Sequence, residues 1–168
     1  EAKIIAEIGI NHNGSVEEAL SLIKASHDAG CYGIKFQYRN LERSYNEKNS
    51  REIGDSLLKQ EIKRCYLSPK DIIKLSKLSR KNFNLKIGIS FFIEDDIDDF
   101  DNLEHFDFFK IPSVEFTNVA LIKRLLSLKK LLFLSLGCQD EETICNQIKF
   151  LGNENVVLMH CSRKSTRL

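Results

Sequence analysis

The sequence predicts an α/β fold with a parallel sheet, because short, solidly apolar runs alternate with amphipathic helical patterns along the whole chain. A strand without polar alternation is one covered on both faces, as parallel strands flanked by helices are. The helical stretches carry their own start signals. Two of the strands also hold a lysine close to their C-terminal ends, Lys35 and Lys110. An unpaired ammonium in such a run is very costly, so a strand that keeps one usually has an anion to meet it.

In order, Ile4–Ile8 reads as the first strand. Ser15-Val16-Glu17-Glu18 is a capping box opening a helix with Val16, Ala19, Leu20 and Ile23 on one face, and Gly30 is its stop. Gly33–Gln37 is the second strand. The connection Tyr38–Leu67 is long for a βα loop, rich in Arg, Asn, Glu and Lys, with a short helix expected near Asp55–Lys63; such loops serve as binding loops or solvated insertions. Ser68-Pro69 places a cap before a proline at the first helical position, with Ile72, Ile73, Leu75 and Leu78 behind it. Leu85–Ser90 is the third strand, a weak acidic helix covers Glu94–Phe100, and Phe108–Ile111 is the fourth strand. Thr117 is the expected cap of a helix carrying Leu121, Ile122 and Leu125. Leu131–Ser135 follows as a strand, then Asp140 caps a helix with Ile144, Ile148 and Leu151, and Val156–His160 closes the series. The order is β-α six times with the last helix missing. Periodicity leaves two arrangements open, a doubly wound open sheet or a (β/α)8 barrel cut short, since a full barrel takes about 250 residues.

The 168 residues, 42% hydrophobic, are read as one domain spanning 1–168. Lys+Arg 25 against Asp+Glu 24 gives a net charge of +1, and the charges are interleaved, which excludes a polybasic nucleic-acid or membrane surface. No apolar stretch approaches the roughly 20 residues of a membrane span, and no secretory leader is legible. Cys31, Cys65, Cys138, Cys145 and Cys161 form an odd set without metal-ligand spacing. They are read as reduced, mostly buried packing residues of a cytoplasmic protein.

Polar side chains gather where strands end: Glu7 on the first, Lys35 and Gln37 on one face of the second, Ser90 on the third, Lys110, Ser113 and Glu115 on the fourth, Ser135 on the fifth and His160 on the sixth. Two lysines with hydroxyls and glycine-flanked backbone suit a phosphate or carboxylate ligand, and the carboxylates suit sugar hydroxyls or proton transfer. The competing reading makes Glu7 and Glu115 internal ion-pair partners for the two lysines.

Five blocks carry a resemblance: Ile5-Ala6-Glu7-Ile8-Gly9-Ile10-Asn11-His12-Asn13-Gly14, Gly33-Ile34-Lys35-Phe36-Gln37, Phe109-Lys110-Ile111-Pro112-Ser113-Val114-Glu115, Leu134-Ser135-Leu136-Gly137 and Leu158-Met159-His160-Cys161. In that order and spacing the chain resembles the N-acylneuraminate (sialic acid) synthase family over essentially its whole length. The resemblance implies a TIM-barrel type of (β/α) fold, truncated to about six β/α units. It implies condensation of phosphoenolpyruvate with N-acetylmannosamine or a related N-acyl sugar, a divalent metal (manganese or magnesium), and a homodimer in full-length form. It assigns Lys35, Ser90, Lys110, Ser113 and Ser135 to phosphoenolpyruvate, Gln37 and Glu115 to the sugar, and a catalytic or orienting role to Glu7. Lys35 and Lys110 would neutralise the donor and the departing phosphate. His12 is read as loop structure and His160 as a packed, hydrogen-bonded strand-end residue. Departures accompany the match. Arg163 and Ser165 stand where the family has Asn and Tyr, and the family's metal-binding histidine motifs have no counterpart here, so the metal ligands are expected to be absent from this chain. A non-catalytic subunit that assembles with another chain, and an aldolase using Lys110 or Lys35 as a Schiff-base nucleophile, are the alternatives.

Overall fold

The computed structural model describes residues 2–44, 60–61, 63–137, 139–152 and 155–161. Six strands form one sheet: β1 Ile5–Gly9, β2 Gly33–Gln37, β3 Lys86–Ser90, β4 Phe108–Ile111, β5 Leu131–Ser135 and β6 Val156–Met159. With them come the helices α1 Val16–Asp28, a short α2 Leu41–Ser44, α3 Pro69–Phe83, α4 Val119–Leu126 and α5 Glu141–Leu151. Every strand pair is parallel, and the order across the sheet is β1-β2-β3-β4-β5-β6. A doubly wound sheet reverses direction at a switch point. This one does not, so the winding is that of a (β/α) barrel wall.

Local chemistry explains the elements. Ser15 Oγ accepts the Glu18 N–H at 3.1 Å, Ser68 Oγ accepts Asp71 N–H at 3.1 Å and Asp140 Oδ1 accepts Thr143 N–H at 2.8 Å. Each satisfies a donor that the first helical turn leaves open. α4 is capped by Asn118, whose Oδ1 accepts Leu121 N–H at 3.1 Å, rather than by Thr117. A 3-10 turn over Ser113–Glu115 consumes the intervening residues and shifts the helix start by one. The acidic segment is likewise a 3-10 turn, Glu94–Asp99, not an α-helix. Of the helix expected near Asp55–Lys63, residues 60, 61 and 63 are helical and the remainder lies outside the described residues.

The two faces of the sheet divide the work. Ile34, Phe36, Ile87, Ile89, Phe109 and Leu132 point at the helices and are fully buried, each worth about 1.5–3 kcal/mol relative to exposure. α1 meets them with Ala19 and Ile23, α3 with Ile72 and Leu75. On α5, Ile148 is exposed and Gln147 buried, opposite to the sequence expectation, because the helix turns the Gln147–Leu151 stripe inward. Of the cysteines, Cys65 is buried, Cys31 and Cys161 are half-buried, Cys145 is exposed, and Cys138 lies outside the described residues. General burial of the set is therefore incorrect: Cys145 sits on the solvent side of α5. No helix among the described residues is long and apolar enough to cross a membrane.

Candidate active site

Residue parity gathers the polar side chains. Glu7 is paired in register with Lys35, Gln37 with Ser90, and Ser90 with Lys110. Side chains alternate along strands, so Glu7, Lys35, Gln37, Ser90, Lys110 and Ser135 share the face away from the helices. All lie toward the C-terminal ends, where parallel β/α sheets keep their chemistry.

Beneath them lies an apolar floor. Gly88 faces the same side, and a Cβ there would come within 2.0 Å of the Phe108 ring. The missing side chain is what lets Phe108 lie flat over β3, edge-on to Phe133 at 5.2 Å. The lysines stand on this floor. Lys35 is buried, its Nζ 2.6 Å from Glu7 Oε2 and donating to Ser90 Oγ at 2.8 Å. A bulge between Glu7 and Gly9 bends β1, with Gly9 at φ +47°. A Cβ on Gly9 would sit 2.8 Å from Glu7 Oε1, so the glycine makes room for the carboxylate to reach Lys35.

Lys110 is treated differently. It has no ion-pair or hydrogen-bond partner among the described residues. Burial, reinforced by the neighbouring Lys35 charge and opposed by Glu7 and Cys161, lowers its pKa to about 8. Glu115 does not neutralise it. That carboxylate accepts from Asn118 Nδ2 at 3.0 Å, and burial pushes its pKa up, against the pull of Asn118 and Arg39. The ion-pair reading therefore holds for Glu7 with Lys35 and fails for Glu115 with Lys110.

The hydroxyls frame the same mouth. Ser90, Ser113 and Ser135 are buried. Ser113 O accepts Gln139 Nε2 at 2.9 Å, and a Cβ on Gly137 would lie 3.1 Å from Ser113 Oγ, so the turn after β5 closes on the turn after β4. Gln37 is half-buried and lines a cleft with Ile10, Tyr38, Arg39 and Tyr66. His12 is buried in the loop after β1, where Nδ1 accepts Gly14 N–H at 3.1 Å and burial lowers its pKa. His160 is exposed just past β6. It is not the packed strand-end residue the sequence suggested, because the ladder stops at Met159, itself 39% exposed.

Solved structures share this fold. Over 94% of the chain and 53% of the other, the fold matches N-acetylneuraminic acid (sialic acid) synthetase from Leptospira borgpetersenii, TM-score 0.81 at 24% identity. A DAHP synthase from Thermotoga maritima matches over 93% of the chain and 40% of its own length, TM-score 0.66 at 15% identity, which shows a common fold. In sequence, the NeuB family profile matches residues 22–165. The chain belongs to the NeuB family. It is 32% identical, over 95% of its length, to N,N'-diacetyllegionaminic acid synthase of Legionella pneumophila, and 29% identical, over 94%, to N-acetylneuraminate-9-phosphate synthase of Drosophila melanogaster. It covers 48% and 44% of those two proteins, so it spans about half the length of such NeuB relatives.

Among the described residues no three His, Cys, Asp or Glu side chains converge to hold the divalent ion expected from the resemblance. Sequence reasoning missed Gly88, which shapes this NeuB mouth without chemistry of its own. A glycine inside a strand pattern was the available signal.

Proposed function

We propose that this mouth binds phosphoenolpyruvate and that the protein of which it forms part condenses it with an N-acyl sugar, N-acetylmannosamine or a relative, releasing phosphate and a nonulosonic acid. The observation that carries the reading is Lys110: a cation held without a carboxylate, beside a second lysine, on an apolar floor. Such a group is uncompensated until an anion enters, and phosphoenolpyruvate brings both phosphate and carboxylate.

In the reaction, C3 of phosphoenolpyruvate attacks the aldehyde carbon of the open-chain sugar. Water adds to the resulting oxocarbenium centre at C2, and the tetrahedral intermediate expels phosphate. Lys35 and Lys110 hold the phosphate while its bridging oxygen takes on charge, already in place before the reaction begins. Ser90, Ser113 and Ser135 orient the donor, Gln37 and Glu115 the acceptor. Glu7, braced by Lys35, orients that ammonium and lies within reach to accept a proton from the incoming water.

Calorimetric titration with phosphoenolpyruvate tests the reading: saturable binding that K110M abolishes supports it, and no binding, or equal binding by K110M, overturns it. The lowered pKa of Lys110 also favours a second reading, a Schiff-base nucleophile. Borohydride reduction in the presence of pyruvate separates the two, because only an imine leaves a stable mass adduct on Lys110.

A further inference from the structure

The exit of β2 is held by a cluster that the mouth does not use. Asp96 and Asp99, on the 3-10 turn Glu94–Asp99, face Tyr38, Arg39 and Asn40 from the β2 exit and Arg43 from α2. Arg43 gives its fork to Asp99, with Nη2 to Oδ1 at 2.7 Å and Nη1 to Oδ2 at 3.1 Å, and Nη1 also donates to Asp95 O at 2.6 Å. Tyr38 Oη and Asn40 Nδ2 donate to the same Asp99 at 2.7 and 3.0 Å. Asp99 is thereby fully supplied.

Asp96 is not. It is completely buried; Oδ1 accepts the Asn40 N–H at 3.2 Å and lies 3.6 Å from Arg43, while Oδ2 has no partner among the described residues. Of the neighbouring charges, Asp98 pairs with Arg124 of α4 at 2.5 Å, and Arg39 stacks its guanidinium 3.8 Å over the Phe92 ring, from where its charge still favours the Asp96 carboxylate. Two carboxyls thus share one guanidinium, and their protonation states are driven apart. Burial pushes Asp99 up, but its hydrogen bonds from Tyr38, Asn40 and Arg43 outweigh that and hold it below the usual carboxylate range. For Asp96 burial wins, against Asn40 and Arg43, and places its pKa at about 7.

We propose that Asp96 is a positioning residue that latches the acceptor-facing wall, Gln37–Asn40, in a proton-dependent way: the neutral acid keeps the wall seated and the carboxylate lets it open. This rests on the reading of the cleft beside Gln37 as the acceptor site. The sign follows from linkage. The closed wall holds a proton on Asp96 up to about pH 7, whereas an opened, solvated Asp96 loses it near pH 4. Closure is therefore most stable near pH 4, weakens by up to about tenfold per pH unit through pH 7, and levels off above.

Hydrogen exchange on the whole chain, corrected for the intrinsic pH dependence of exchange, reads this at the Asn40 amide. Its protection is expected to fall at least tenfold between pH 5 and pH 7.5 in the native protein and to stay flat in D96N. Flat protection in the native protein, which needs no variant to fold, or an undiminished slope in D96N, overturns the latch. In the presence of phosphoenolpyruvate, N-acetylmannosamine affinity should weaken over the same pH interval in the native protein but not in D96N; a matching decline in both also overturns it. If phosphoenolpyruvate fails to bind while the Asn40 slope is present, the functional reading fails and the latch stands. If it binds and the slope is missing, the latch alone falls.

Discussion

The two ends of the sheet hold the same kinds of charged groups in opposite proportion. At the N-terminal end one carboxylate serves two cations. Asp107 Oδ2 accepts from Arg80 at 2.7 Å and from the Ile87 N–H at 2.9 Å, and Oδ1 accepts from Lys86 at 3.1 Å. Burial pushes its carboxyl up, but those three donors outweigh it and keep the pKa below the ordinary carboxylate value. At the C-terminal mouth two lysines share one ion-paired carboxylate: Glu7 goes to Lys35, Glu115 turns to Asn118, and Lys110 is left over. The three partners at the first end are two half-exposed side chains and a backbone N–H, and the arrangement ties β3 to α3 and β4. At the mouth the leftover cation is half-buried on the same strand face as Phe108, where water screens it less than in the open. A satisfied cluster stabilises; an unsatisfied one is a request for a ligand.

Removing the leftover cation is the sharpest way to break the contrast. K110M should weaken phosphoenolpyruvate binding about 100-fold or more, the loss of a charge-assisted contact. The same change should raise the melting temperature, since it deletes a half-buried charge with no partner among the described residues; thermal denaturation beside calorimetry checks both signs together. A variant that loses stability along with affinity would show that Lys110 is structurally paired after all.

At the other end, D107A should lower unfolding free energy by about 2–3 kcal/mol in denaturant titration while leaving phosphoenolpyruvate affinity within twofold. Its contribution follows pH in the sense of a depressed acid: present above about pH 4, the unfolded value, and lost as pH falls through the lower folded value. Between the two ends, G88A forces a methyl group onto the Phe108 ring. It should cost about 1–3 kcal/mol as over-packing and also weaken phosphoenolpyruvate binding, because the floor moves under Lys110. A stability loss without a binding change would separate floor from site.

The smallest effect is a titration. Binding requires the Lys110 ammonium, so affinity in the native protein should hold up to about pH 8 and then decline by up to about tenfold per unit. K110R, whose charge persists through that range, should remove the decline.

Much of this could be read from residue order. β2, β4 and β5 run over the residues expected of them, because a short, mostly apolar run bounded by polar or turn residues specifies a strand by itself. Ser15, Ser68 and Asp140 cap as expected, since a cap reaches only three residues along its own chain. The strand-end positions of Glu7, Lys35, Ser90 and Lys110 follow from alternation within each strand.

Pairing did not follow. Whether Glu115 meets Lys110 or Asn118 depends on the 3-10 turn that follows β4, and whether Asp96 or Asp99 receives Arg43 depends on how α2 lies against a turn more than fifty residues away. Strand order was equally closed to the sequence, because the same β-α alternation serves an open sheet and a barrel wall. Local hydrogen bonding and hydrophobic period act within a few residues and are written in the chain. The balance of buried charge is settled among groups that only the folded sheet brings within a few ångströms, where a low dielectric makes one absent carboxylate count.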